Sequence, residues 1–250
     1  MNQFNDIIAK YKQTKGINQL NITTALIDMD GVLYDSMKYH TIAWKKLTDE
    51  LNIEASLDEF YIYEGMTGAG IIRLLFKRSF NEEVSDEKAA ELYAIKAKYF
   101  GEVGKVEVMP DAQRMTSILR DNNIERVLVT GSGQASILNC LDTDYAGIFD
   151  HDKRVTAHDV TNCKPHPEPY LRGMEKAGRT AEECIVIENA PLGVKSASDA
   201  GAFTIAVTTG PIPQEAMVEA GAAVVFSSMV ECAENIHLLI YELLTTSLKS

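Results

Sequence analysis

Nothing in the 250-residue chain is apolar for long enough to span a bilayer. The first residues, Met1 to Gln19, lack the apolar block and small-residue cleavage site of a secretory signal. Both absences lead us to expect a cytoplasmic protein with no membrane partner. Basic residues are in deficit: 24 Lys and Arg stand against 36 Asp and Glu, a formal charge of −12 at pH 7. A chain so acidic repels nucleic acid and anionic lipid at long range, so neither is expected as a partner. An anionic ligand needs a local cation to enter this field, and a bound metal ion supplies one directly. Cysteine is scarce as well. Cys140, Cys163, Cys184 and Cys232 are widely spaced and form no Cys-x-x-Cys pair. They read as buried, reduced, structural thiols. Internal repeats and low-complexity tracts are missing too. What remains is ordinary apolar content, 46%, in a length suited to one large domain or a domain with a substantial insert.

Residues 1–20 read as an N-terminal extension, with a short polar helix over Phe4 to Tyr11 and a turn at Gly16. Thr23-Thr24-Ala25-Leu26-Ile27 is apolar, β-branched and too short for an independent helix, so it predicts a buried strand. It stops at Asp28-Met29-Asp30-Gly31. From Ser36 to Val106 helical periodicity takes over, as in Ile42, Ala43, Leu47 and Leu51, or Ile71, Ile72, Leu75 and Phe76. This block predicts a small helical domain over 36–106, with Gly101 and Gly104 marking a flexible return. Beyond Met109 strands and helices alternate. A helix is expected from Pro110 to Leu119, strands over Arg126–Val129, Glu183–Ile187, Phe203–Val207 and Ala222–Phe226, and a helix from Gly193 to Ala200. Alternation of this kind predicts an α/β fold with a mainly parallel sheet covered on both faces. The strand near residue 25 joins that sheet, so the core comprises 21–35 and 107–250 with the helical block inserted between them.

In an open parallel sheet, ligands bind outside the carboxyl ends of the strands. Four polar groups fall there. Asp28 and Asp30 project from one tight turn. As packed carboxylates they repel, and a cation relieves the repulsion. Mg²⁺ takes oxygen ligands, few of them from protein. A carboxylate at Asp28 can also accept a phosphoryl group covalently, with Asp30 as acid and then base. Taken alone, the pair is equally a turn-forming feature. Thr130, Gly131 and Ser132 can bind phosphate oxygens before a helix, or simply cap it. Lys164 can neutralise Asp28 and a transferring phosphoryl group, or be a surface lysine. Glu188 and Asn189 can add metal ligands, or be a loop. Their order, each after a strand, is hard to explain by the second reading of each.

Asp28-Met29-Asp30-Gly31-Val32-Leu33-Tyr34-Asp35, Val129-Thr130-Gly131-Ser132, Lys164-Pro165 and Glu188-Asn189-Ala190-Pro191-Leu192-Gly193 together resemble the haloacid dehalogenase superfamily, in its phosphatase and phosphomutase branch. The resemblance covers nearly everything after residue 20. It implies a Rossmann-like core and a mobile helical cap at 36–106. It also implies Mg²⁺ bound by Asp28, Asp30, Glu188 and Asn189, and an aspartyl-phosphate intermediate on Asp28. One departure stands out: the branch usually carries an acidic pair where this chain has Glu188-Asn189. Asn189 still offers an oxygen to Mg²⁺, without charge.

Tyr39-His40, Ala43-Trp44 and Lys96 resemble the β-phosphoglucomutase subgroup, whose cap lysine faces the site. Tyr39 and Trp44 are expected to serve packing of the cap helices, and His40 to link core and cap when the cap closes. Mutases of this kind carry Lys-Gly-x-Ser-Arg in the cap loop, where this chain reads Glu64-Gly65-Met66-Thr67-Gly68. Loss of the arginine removes a bidentate phosphate contact, and Glu64 adds repulsion. The stretch Tyr63 to Ala69 looks instead like the cap loop of a bacterial inorganic pyrophosphatase of the same superfamily. A small phosphorylated substrate is therefore expected: pyrophosphate to be hydrolysed, with a sugar phosphate, as substrate of a β-phosphoglucomutase or of a sugar-phosphate phosphatase, as the alternative. The substrate-binding set is Thr130, Gly131, Ser132, Glu64, His40 and Lys96. A phosphoacceptor signalling domain would also use Asp, Thr and Lys at strand ends, but such domains are about half as long and lack the insert. His151, His158 and His166 are expected as loop residues.

Overall fold

The structure is a computed structural model that describes residues 3–247. The chain opens with α1 (Asn5–Lys15), closed by Gly16 in the left-handed conformation. This helix is longer than Phe4 to Tyr11, because Lys12 and Lys15 favour its carboxyl end. Phe4, Ile8 and Tyr11 pack into the main core, and the Tyr11 hydroxyl donates to the Gly201 carbonyl at 3.0 Å. The extension is thus part of the folded body.

Next comes β1 (Thr24–Ile27), buried at every position, and β2 (Tyr34–Asp35) follows. Four helices then run in succession: α2 (Met37–Glu50), α3 (Glu59–Ile62), α4 (Gly68–Phe80) and α5 (Asp86–Val103). They have a core of their own, built from Trp44, Leu47, Phe60, Ile71, Ile72, Leu75, Ala89 and Leu92. The chain returns through β3 (Glu107–Val108), antiparallel to β2. α6 (Ala112–Asp121) precedes β4 (Glu125–Val129), α7 (Ala135–Asp144) precedes β5 (Arg154–Val155), and α8 (Glu168–Ala177) precedes β6 (Cys184–Glu188). The remainder is α9 (Pro191–Asp199), β7 (Phe203–Val207), α10 (Gln214–Glu219), β8 (Val224–Phe226) and α11 (Met229–Ser247).

Six of these strands form one parallel sheet in the order β5-β4-β1-β6-β7-β8. Side chains alternate across it, as strand geometry requires. Ala25, Ile27, Leu128, Ile185, Ile187 and Ile205 face the layer of α1, α6 and α11. Leu26, Val127, Val129 and Val186 face Tyr170 and Met174 of α8 and Ala197 of α9. The centre of the sheet therefore reads as continuous apolar runs, which made those strands legible. Residues 28, 130 and 188 leave the sheet at the same end, at or just past the carboxyl termini of β1, β4 and β6.

Several boundaries differ from expectation. α5 continues through Gly101, since packing against α2 and α4 outweighs the roughly 1 kcal/mol helix penalty of glycine. α6 begins at Ala112, because Asp111 sits at φ 61° and breaks the helix after Pro110. The short strands β2, β3 and β5 carry too few residues to show alternation. Cys184 and Cys232 are buried and free, whereas Cys140 and Cys163 are also free but half-exposed, against the expectation of four buried thiols. Among the described residues no helix is long and apolar enough to cross a membrane.

Candidate active site

Parallel neighbours β4, β1 and β6 bring three strand ends side by side, and the loop before α8 adds a fourth group. Lys164, at 0% exposure, donates to Asp28 Oδ1 at 2.7 Å, to Glu188 Oε1 at 2.6 Å and to the Val129 carbonyl at 3.2 Å. An ammonium has three donors, and all three are used. Burial pushes the Asp28 carboxyl up to about 8, with Lys164 opposing and Glu188 and Asp30 adding to the rise. Burial works against the Lys164 ammonium, but Asp28 and Glu188 hold it well above its ordinary value. Lys164 is therefore a fixed cation wedged between two carboxylates.

Asp30 sits two residues on, in the same turn. Its Oδ1 accepts from the Ser36 hydroxyl and from His40 Nε2, the latter at 3.1 Å. Lys96 contacts the opposite ring nitrogen, Nδ1. With Nδ1 accepting from the ammonium, the ring proton belongs on Nε2, facing Asp30. A buried chain thus runs from Lys96 on α5, through His40 on α2, to Asp30 in the core. Burial would raise the Asp30 carboxyl, yet His40, Ser36 and Lys96 bring it below its ordinary value. Burial lowers Lys96 to about 7, with Asp30 opposing. His40 stacks on Phe100 at 4.2 Å, and Lys96 lies over the Trp44 ring at 5.2 Å. The expected packing role of Trp44 holds, and its ring also lines the cavity. Tyr39 packs edge-on against Phe100.

Glu64 reaches into the same site from the helical body. It is 7% exposed, and Asn189 Nδ2 donates to its Oε1 at 2.7 Å. Burial lifts its carboxyl well above the ordinary value, and Asp28, Glu188 and Asp30 add to the effect against the pull of Asn189. Gly31 makes this contact sterically possible. At φ +73° it turns the chain after Asp30, and a Cβ there would lie 1.8 Å from Asn189 Nδ2 and 3.1 Å from Glu64 Oε1.

Thr130 Oγ1 accepts from the Ser132 N–H at 3.0 Å, which leaves the hydroxyl hydrogen available to a phosphate oxygen. Two expected anion-binding amides are spent within the fold. The Ser132 N–H is held by Thr130, and the Thr130 N–H donates to the Val155 carbonyl. Gly131 stays at the cavity wall.

Glu188, expected as a metal ligand, is met by four donors of the protein. Its Oε1 accepts from Lys164 and from the Tyr170 hydroxyl at 2.7 Å. Its Oε2 accepts from the N–H groups of Asn189 and Ala190. All its acceptor positions are taken by the fold.

Tyr93, on α5, was not singled out from the sequence, where it reads as one more aromatic on a helix. It lines the cavity together with Ser132. Its ring occupies the space beside Gly68, where a Cβ would come within 2.1 Å of Cδ2. The position that holds an arginine in the mutase pattern is thus filled by the Tyr93 ring. His151, His158 and His166 are not among the lining residues.

Asp28, Asp30, Glu64, His40, Lys96, Tyr93 and Thr130 surround a cavity of about 60 Å³. The donor set suits a hard divalent cation. Asn189 Oδ1 is buried with no hydrogen-bond partner, a lone pair aimed at nothing in the protein. Asp28, Asp30, Glu64 and Glu188 outnumber the two buried lysines beside them. Among the described residues no three His, Cys, Asp or Glu side chains form a metal cage. Asn189 and a substrate oxygen would have to complete the shell, as Mg²⁺ allows.

A model of haloacid dehalogenase-like hydrolases matches residues 22–201. A solved structure described as a putative β-phosphoglucomutase from Bacteroides vulgatus superposes with a TM-score of 0.90 at 37% identity, covering 99% of this chain and 98% of that one. Hexitol phosphatase A of Escherichia coli is 29% identical over 182 residues, 73% of this chain and 81% of the relative. β-Phosphoglucomutase of Bacillus subtilis is 25% identical over 191 residues, 74% of this chain and 83% of the relative.

Proposed function

The chain belongs to the haloacid dehalogenase-like hydrolase family, and from that premise we propose that it hydrolyses inorganic pyrophosphate through an aspartyl-phosphate on Asp28. Phosphatase or phosphomutase chemistry on small phosphorylated molecules is common to the relatives named above. None of those relatives is a pyrophosphatase, so the substrate rests on this chain's own cavity. The observation that carries it is Glu64, a carboxylate buried in the site and bonded to Asn189, where a sugar bisphosphate would need a cation. Tyr93 closes the remaining space beside Gly68. A cavity of about 60 Å³ favours the smallest phosphoryl donor.

Asp28 Oδ1 is held by Lys164, so its other oxygen is the one to attack phosphorus. The bond from phosphorus to the bridging oxygen breaks, and that oxygen leaves with the second phosphate. Phosphate is a good leaving group and needs little protonation from Asp30. Asp30, kept ionised by His40 and Lys96, then takes a proton from water. The water oxygen attacks the aspartyl-phosphate, phosphate leaves, and Asp28 is restored. Thr130 holds the transferring group by its hydroxyl, and Lys164, fixed on Asp28, offsets the charge there. Asp28, Asp30, Asn189 and Glu64 are placed to hold Mg²⁺, directly or through its waters. When bound, that ion would neutralise the cluster and polarise phosphoryl oxygens.

A sugar-phosphate phosphatase is the second reading. Lys96 favours it as a cation on the cap side of the cavity, with His40 as a neutral hydrogen-bonding neighbour, as do the relatives. The family match leaves the signalling-domain alternative without support. Phosphate release from pyrophosphate, hexitol phosphates and β-glucose 1-phosphate separates the two. Pyrophosphate is expected to lead in kcat/KM, and a faster hexose or hexitol phosphate would overturn the substrate assignment. In Glu64→Ala that preference should shrink, and Mg²⁺ should bind about 10–100-fold more weakly. Trp44, the chain's one tryptophan, lines the cavity and reports the binding by fluorescence without turnover. Unchanged affinity and substrate range in this variant would remove Glu64 from the site's function.

A further inference from the structure

We infer that Tyr170 is a positioning residue for phosphoryl transfer, acting through Glu188 on the Lys164–Asp28 pair. This rests on the assignment of Asp28 as the phosphoryl acceptor, but on no particular substrate. Tyr170 lies in the first turn of α8, fully buried, beneath the strand ends of β1 and β6. Its hydroxyl donates to Glu188 Oε1 at 2.7 Å. The same oxygen accepts from Lys164 Nζ at 2.6 Å, and that ammonium also holds Asp28 Oδ1 at 2.7 Å. Lys164 Nζ stands 5.1 Å from the centre of the Tyr170 ring.

Glu188 and Asp28 compete for one ammonium. A hydrogen bond from the phenol spreads and satisfies part of the charge on Glu188 Oε1, which weakens its claim on Lys164. The two backbone amides at Oε2 do the same from the other side. Glu188 therefore anchors Lys164 without capturing it, and Lys164 stays shared with Asp28, whose charge it offsets. Without the hydroxyl, Oε1 keeps Lys164 as its only donor and draws it away from Asp28. A phenylalanine fills nearly the same volume, so its place in the apolar layer with Leu26, Val129 and Met174 is retained.

Tyr170→Phe tests this against pyrophosphate and p-nitrophenyl phosphate in parallel, with Glu188→Gln and the double variant alongside. Tyr170→Phe should lower kcat about 10-fold on both substrates, the size of one charge-assisted hydrogen bond. KM should stay within about twofold, and the thermal melt should superpose on that of the parent. In the Glu188→Gln background the same substitution should cost nothing further, because the charge it acts on is gone. Unchanged kcat, or an equal loss in both backgrounds, would overturn the inference, since a purely packing role ignores the charge on Glu188. Failure of the parent on pyrophosphate alone would defeat the substrate proposal and leave the p-nitrophenyl phosphate comparison as the test of Tyr170. Retention of activity by Asp28→Asn would defeat the acceptor assignment itself.

Discussion

Asp28→Asn is expected to lower the rate of phosphate release by about 10,000-fold or more on every substrate, with the fold intact. The amide is the same shape as the carboxylate and can still accept from Lys164. It cannot supply the oxygen nucleophile for a covalent step. Its site also loses one buried negative charge. Asp28 bears an unfavourable position, since burial, with Glu188 and Asp30, outweighs the pull of Lys164 toward its ionised form. Removing that charge should raise the melting temperature of the metal-free protein, or leave it unchanged, while activity collapses. This opposite movement of stability and rate separates a functional carboxylate from a structural one. A variant that melts early and loses activity in proportion would mark Asp28 as part of the scaffold.

Lys164→Met should damage both properties at once. The ammonium is the only side-chain cation contacting Asp28 and Glu188 among the described residues, and all three groups are buried. Breaking a buried pair by removing one partner typically costs about 3–5 kcal/mol, because a charge is left without compensation. Here two carboxylates are left facing each other, so the upper part of that range is expected. Protonation of Asp28 limits the loss. Urea denaturation in the presence of a chelator measures it. Turnover should fall about 100–1,000-fold, the scale of losing one preorganised cationic contact to the transition state. A loss of stability below about 1 kcal/mol would mean that Lys164 is solvated, contrary to its three hydrogen bonds.

Asp28, Thr130 and Glu188 were legible in the sequence because each sits at the end of a strand. Thr24 to Ile27, Glu125 to Val129 and Cys184 to Glu188 are central strands, buried on both faces, and their apolar runs end sharply at polar residues. Motif order then converged on one rim. Glu64 was legible because a carboxylate is conspicuous where a phosphate-gripping loop resembles a cationic pattern. Tyr93 was not, since helical periodicity assigns an aromatic on α5 to the cap core, and only three-dimensional packing shows its ring filling the space beside Gly68. The commitment of Glu188 to Lys164, Tyr170 and two amides was equally hidden. A sequence shows that an acidic residue ends a strand but not that the donors around it already saturate its oxygens. The link from Lys96 through His40 to Asp30 spans 66 residues of sequence between the insert and the first strand end, and it exists only with the insert packed over the core.

Trapping the phosphoryl group on the protein tests the central claim most directly. Enzyme mixed with radiolabelled pyrophosphate and Mg²⁺ is quenched in acid on the millisecond scale and digested. Label should appear in the peptide containing Asp28, should be released by mild alkali as an acyl phosphate is, and should be absent from Asp28→Asn. Phosphate release without label on the protein, or label on Thr130, Ser132 or His40, would contradict it.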